Sequence, residues 1–139
     1  GFVGVPPILT DLYDFIERNG ASVVYHEVQR QFSMPYPARD VVEQYLAYTY
    51  PYDMAARIED IREQVAARRL EGLIHYVQAF CYRAIHDIIL RRQMNLPILT
   101  LEADYPGRLE SHHRVRLEAF LDMVKARKAA ATEDSRQPS

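Results

Sequence analysis

The chain has 139 residues, 48% hydrophobic and 26% charged, with a formal net charge of −2. That balance belongs to a folded domain and excludes extensive disorder. No apolar run approaches the ~20 residues of a bilayer span, and the near-neutral charge leaves no electrostatic footprint for nucleic acid. The single cysteine, Cys81, forms no internal disulfide and makes no thiolate-rich metal site alone. The opening Gly1-Phe-Val-Gly-Val5 carries neither Met nor a basic leader. It therefore reads as the start of a piece trimmed from a longer protein, with no signal peptide and a cytoplasmic setting.

Phe2-Val-Gly-Val5 is a short apolar run stopped by Pro6-Pro7, and it predicts a buried strand. Thr10 or Asp11 is placed to cap a helix with Leu12, Phe15 and Ile16 on one face, closed by Asn19-Gly20. Ser22-Val-Val-Tyr25 predicts a second strand, and His26 to Pro37 an irregular stretch. Val41, Val42, Tyr45 and Leu46 recur at helical spacing. Four tyrosines crowd Tyr45 to Tyr52, as packing with hydroxyls at the rim or as a recognition surface.

Ile58, Ile61 and Val65 mark a further helix, finished by Arg68-Arg69, which suit the negative end of a helix dipole. Leu73-Ile-His-Tyr-Val77 predicts a strand, Ile85, Ile88 and Ile89 a helix, and Leu96 to Leu101 a strand. Leu117, Phe120, Leu121 and Val124 stripe a last helix. The domain is expected over residues 1–128, with a disordered polar tail over 129–139.

Strands alternating with helices predict an α/β fold, a three-layer sandwich around a parallel sheet. Four short strands near 2–5, 22–25, 73–77 and 97–101 are expected in the order 2-1-3-4, as in flavodoxin-like or Rossmann-like folds. The five glycines are isolated, so the phosphate loop of those folds is missing. In such sheets ligands sit beyond the carboxyl ends of the strands. The loops there hold Pro6, Pro7 and Gln78 to Cys81, and Glu102 and Asp104 follow the last strand.

Cys81 stands before a helix, where backbone N–H groups favour a thiolate. Its other reading is a small buried hydrophobe. The five histidines show no metal-ligand spacing and read as solvated or hydrogen-bonded. Arg114 and Arg116 lie two apart and do not share a helix face. One of them is expected near Glu102 and the other toward water. The pocket candidates are thus Pro6, Pro7, Gln78, Glu102 and Arg116.

Several stretches together carry a resemblance. They are Val5-Pro-Pro-Ile8, Asp11-Leu-Tyr-Asp-Phe15, Glu27-Val-Gln-Arg-Gln-Phe32, Arg57-Ile-Glu-Asp60, His75-Tyr-Val-Gln-Ala-Phe-Cys81 and Arg116-Leu-Glu-Ala-Phe120. In order and spacing, over most of residues 2–125, the chain resembles the carboxyl-terminal domain of the 2-hydroxyacyl-CoA dehydratase family. Subunits of class I benzoyl-CoA reductase are relatives of that family.

The resemblance implies that Cys81 is one of three cysteines holding a [4Fe–4S] cluster, the other two lying outside this chain in an amino-terminal domain. It implies radical dehydration of an (R)-2-hydroxyacyl-CoA to the enoyl-CoA, with one electron supplied by an ATP-dependent activase. The implied partners are the amino-terminal domain, a homologous second subunit, the activase and the acyl-CoA. The isolated chain is expected to carry no cluster and to be inactive. Val115-Arg116 stands where the family often has Thr-Arg, and His86 where it often has an acid. A non-catalytic docking or scaffolding domain, with Cys81 merely buried, is the alternative from another class. A benzoyl-CoA reductase-type subunit is the second.

Overall fold

The computed structural model describes residues 1–34, 37–46 and 54–134. Three strands, β1 (Phe2–Gly4), β2 (Leu73–Val77) and β3 (Ile98–Glu102), form one parallel sheet in the order β1-β2-β3. The register places Val3 beside His75, and His75 beside Thr100. Every residue of the central strand β2 is buried, as a strand covered on both faces requires.

Alternate residues serve opposite faces. Phe2, Ile74, Tyr76 and Leu101 pack with Leu12, Phe15 and Ile16 of α1 (Leu12–Arg18) and Leu117, Phe120 and Leu121 of α6 (Ser111–Asp134). Val3, Leu73 and Ile98 pack on the other side with Ile58 and Ile61 of α4 (Met54–Arg68). Leu90 of α5 (His86–Gln93) and Met94 complete that cluster. The sheet is therefore flanked by helices on both faces, and the predicted α/β class holds.

The predicted fourth strand does not form. Residues 21–25 run extended beside β1, but they join it only through Phe2 N–H donating to the Tyr25 carbonyl (2.9 Å) and one parallel bridge between Phe2 and His26. Val24 is 52% exposed, so this segment lacks the cover on both faces that the buried central strand has. The order 2-1-3-4 reduces to three strands with an extended segment at the edge.

The irregular stretch expected from His26 is instead a helix, α2 (Glu27–Ser33). Its buried face is Glu27, Val28 and Gln31, a mostly polar set that hydrophobic periodicity does not register. The helix expected at Val41 forms as α3 (Val41–Leu46), but Val41, Val42 and Tyr45 are exposed rather than core. The rest of the tyrosine cluster, 47–52, lies outside the described residues. The last helix runs through Asp134 into the stretch expected to be a disordered tail; residues 135–139 lie outside the described part.

Asp11 precedes α1 but makes no capping bond. Its carboxylate instead accepts from Leu109 N–H (2.7 Å) and Arg114 (2.6 Å), pinning the loop after β3 to the start of α1.

Candidate functional site

The carboxyl ends of the three parallel strands lie together, and each leads into a loop. After β1, Val5 N–H donates to the Tyr76 carbonyl (3.0 Å) and Ile8 N–H to the Tyr76 hydroxyl (3.3 Å). These two bonds hold the Pro6-Pro7 turn against the central strand. After β2, Phe80 takes φ +61° with its side chain fully exposed, a left-handed conformation that costs free energy in a residue with a Cβ. Ala79 N–H donates to Asp104 Oδ1 at 2.5 Å, tying this loop to the one after β3.

Cys81 closes that loop. Its N–H donates to the Gln78 carbonyl (3.1 Å), and it is the cap residue of a short 3₁₀ turn, Tyr82–Ile85, that leads into α5. The thiol belongs to a half-buried residue at the carboxyl end of the sheet, outside both packed clusters. The isoleucines that predict a helix here are exposed rather than packed. Ile85 and Ile88 are 70% and 58% exposed, and Phe80 and Tyr82 are exposed with them. The core side of α5 is carried by Leu90.

Beyond β3 lies a cavity of about 380 Å³ lined by Glu102 and Arg116 together with Tyr105, His112 and His113. Two of the sequence candidates thus share one cavity. Pro6, Pro7, Gln78 and Cys81 lie on the neighbouring loops and are not part of its wall. Arg116 directs its guanidinium to the Thr100 carbonyl (2.7 Å). Arg114, expected near Glu102 or in water, is turned to Asp11. His113 accepts from Glu110 N–H through Nδ1 (3.2 Å), which leaves Nε2–H to donate to the Glu102 carbonyl (3.0 Å). That pair of bonds fixes the ring and its tautomer.

Directly beneath the carboxyl edge, on the α4–α5 face, sits a buried polar layer that sequence reasoning did not single out. Glu27 and Arg57 are 1% and 2% exposed and form a two-pronged ion pair, Nε to Oε1 at 2.5 Å and Nη2 to Oε2 at 2.8 Å. Gly4 N–H adds a bond to Glu27 Oε2 (2.7 Å), and Arg57 Nη1 reaches His86 Nδ1 (3.0 Å). Arg30 and Gln31 both donate to Asp60.

Beside them His75 is completely buried in the middle of β2 and donates from Nδ1 to Asp87 Oδ1 (2.9 Å). Asp87 also accepts from Thr100 and from Arg91 (2.6 Å). The Nε2 of His75 has no partner among the described residues. A buried layer of this kind satisfies its own charges and fixes the helices under the loops that carry Cys81 and Glu102.

The layer has a pH signature. Burial pulls His75 below its ordinary value, against the raising effect of the Asp87 bond, and burial and Arg57 pull His86 down as well. Burial pushes Asp87 up, but the bonds from Thr100, His75 and Arg91 outweigh it and hold the carboxyl below its usual range. The unfolded histidines therefore bind protons more readily than the folded ones. Stability then declines as pH falls below about 6.5, the ordinary histidine value. Asp87 adds a further loss as pH falls through about 4 toward its lower folded value. Urea midpoints should drop from about pH 7.5 to 5 and again below about pH 4, and His75→Asn should flatten the upper part of that slope. An identical midpoint at pH 7.5 and 5 would contradict this account.

An iron–sulfur cluster needs about four ligands. Cys81 is the chain's one cysteine, and among the described residues no group of three or more His, Cys, Asp and Glu side chains could hold a metal ion. This chain's residues do not fit such a cluster by themselves. No helix among the described residues is long and apolar enough to cross a membrane.

A helix-flanked parallel sheet with a lone cysteine on the loop beyond its central strand defines an α/β domain whose candidate site residues gather at the strands' carboxyl ends. The chain belongs to the family described as 2-hydroxyglutaryl-CoA dehydratase, D-component, whose model matches residues 1–124. No curated protein matches the chain.

Proposed function

We propose that this chain is the carboxyl-terminal α/β domain of a 2-hydroxyacyl-CoA dehydratase subunit, and that Cys81 is one of three cysteines holding a [4Fe–4S] cluster. The other two would come from outside this chain. The observation that carries this reading is the position of Cys81. It caps a turn on the loop after the central strand, half-buried and outside the packed clusters, in a family-matched segment.

The reaction proposed for the complete enzyme is dehydration of an (R)-2-hydroxyacyl-CoA to the enoyl-CoA, with an ATP-dependent activase as electron donor. The amino-terminal domain and a homologous second subunit complete it, in the cytoplasm. No step of that reaction is assigned to a residue of this chain, which is inactive alone. Pro6, Pro7, Gln78, Glu102 and Arg116 are the residues proposed to face the acyl-CoA, with the cavity at Glu102 and Arg116 as its nearest wall.

One observation favours the docking alternative, in which Cys81 has no ligand role. Phe80, Tyr82, Ile85 and Ile88 leave an exposed apolar row around it. Anaerobic reconstitution of the full-length subunit with iron and sulfide separates the two readings. Under the proposal, Cys81→Ser lowers bound iron and abolishes most activase-dependent dehydration, while the unfolding free energy from urea titration changes by less than about 1 kcal/mol, as expected at a half-exposed site. A variant with full iron and wild-type dehydration would make Cys81 a structural residue.

A further inference from the structure

Among the described residues β3 is the last strand on its side of the sheet, so its outer edge meets no further strand. In a parallel pair the carbonyls of one strand turn alternately toward its neighbour and away from it. The Pro97 carbonyl accepts from Leu73 N–H (3.0 Å), and Ala103 N–H donates to the Val77 carbonyl (3.2 Å). The carbonyls of Pro97, Leu99 and Leu101 therefore serve β2, and those of Ile98, Thr100 and Glu102 turn outward. Left open, such a row is a template for a strand of another chain.

All three outward carbonyls are taken by side chains. Arg91 Nη1 donates to Ile98 (2.9 Å), Arg116 Nη2 to Thr100 (2.7 Å) and His113 Nε2 to Glu102 (3.0 Å). The donors reach the edge from both faces of the sheet. Arg91 comes from α5 on one side, and His113 and Arg116 come from α6 on the other. Arg127, about three helical turns beyond Arg116 and so on the same side of α6, repeats the arrangement at the Asn95 carbonyl (3.2 Å), just before the strand. Arg91 is itself held in place by Asp87 (2.6 Å) and the Thr100 hydroxyl (2.7 Å).

We propose that Arg91, Arg116 and His113 form a clasp that closes the outer edge of β3 to strand addition, and that the partner it excludes is a second copy of this chain. An added strand needs those carbonyls as acceptors for its own N–H groups. A guanidinium carries donors only, so it fills the carbonyl and offers nothing in exchange. The same edge on two copies is self-complementary under a two-fold axis. Joining them would bring the guanidiniums of both clasps together, so like charge adds to the obstruction. This use of the three residues does not depend on the reaction proposed above.

Amide hydrogen exchange and sedimentation of the intact protein test the clasp. In the parent, the outward N–H groups of Ile98, Thr100 and Glu102 should exchange at least about tenfold faster than those of Leu99, Leu101 and Ala103. Arg91→Ala combined with Arg116→Ala should raise the average mass with concentration more steeply than in the parent, and should protect the three outward amides as it does so. Arg116→Ala alone leaves the Asp87 bonds in place and should show the same effect more weakly, which keeps the test available if the double variant does not fold. Arg91→Lys with Arg116→Lys should behave as the parent, because each ammonium keeps a donor and a charge at the edge. Arg57→Lys should also behave as the parent, because it loosens the buried layer and leaves the clasp intact. Equal protection of outward and inward amides in the parent would overturn the proposal, as would alanine variants that sediment as the parent does. Association that leaves the outward amides unprotected, or that Arg57→Lys shows equally, would overturn it too.

Discussion

Arg57→Met is expected to destabilise the fold by about 3–5 kcal/mol, the usual consequence of removing one partner from a buried ion pair. The lost contacts are only part of the effect. Glu27 is 1% exposed and would keep a negative charge with the Gly4 N–H as its remaining partner among the described residues, far from the water that could solvate it. A second change, Glu27→Gln, should therefore recover part of the loss when combined with Arg57→Met, although Glu27→Gln alone is also destabilising. Arg57→Lys should fall between, because an ammonium cannot reproduce the two-pronged geometry and the bond to His86 together. Urea midpoints of the four variants check the series. A loss below about 1 kcal/mol for Arg57→Met would show that the layer tolerates an unpaired carboxylate.

Gly4→Ala is expected to be comparably severe. Gly4 ends β1 with φ +98°, and a Cβ there would stand 2.3 Å from the Tyr76 carbonyl oxygen and 3.0 Å from His75 Cδ2. The first is backbone of the central strand and cannot rotate away. An unfavourable φ and an overlap inside a packed region together amount to roughly 2–5 kcal/mol. Gly107→Ala is the matched control. Nothing lies within 4 Å of its added methyl, and its unfolding free energy should stay within about 0.5 kcal/mol of the parent. Equal midpoints for the two alanine variants would mean that β1 can withdraw from β2 without penalty.

What was legible in the sequence follows from what apolar patterning measures. Leu73–Val77 and Ile98–Glu102 read as strands because both of their faces are covered, and the helices at Leu12 and Leu117 read correctly because their apolar stripes meet the sheet. The same rule misplaces Ser22–Tyr25. Its composition suits a strand, but a ladder needs successive bonds to its neighbour, and this segment meets β1 through the Phe2–Tyr25 bond and the Phe2–His26 bridge alone among the described residues. It also misplaces α2, whose buried face is anchored by Arg57 and Asp60, residues about 30 positions away. No local period encodes a charge whose partner lies that far along the chain.

The site divides the same way. The strand-then-loop pattern placed Cys81, and Glu102 and Arg116 do share a cavity. The polar layer under them stayed hidden because each member, taken singly, resembles a surface residue. Glu27, Arg30, Arg57 and Asp60 do fall inside the short stretches that carried the family resemblance. Their structural use is to fix the underside of the site.

The parallel pairing of β1 with β2 also sets an order of events on the ribosome. Phe2 pairs with Ile74 and Gly4 with Tyr76, so β1 emerges about 70 residues before its neighbour. At about 5–20 residues per second, synthesis of that interval takes roughly 4–14 seconds. Throughout it, the apolar β1 and the sheet-facing side of α1 have no sheet to join. The nascent chain thus carries an uncovered Phe2-Val3 patch and the unpaired Glu27 carboxylate until α4 and β2 arrive. That interval is the period in which a chaperone that binds short apolar segments would meet this domain.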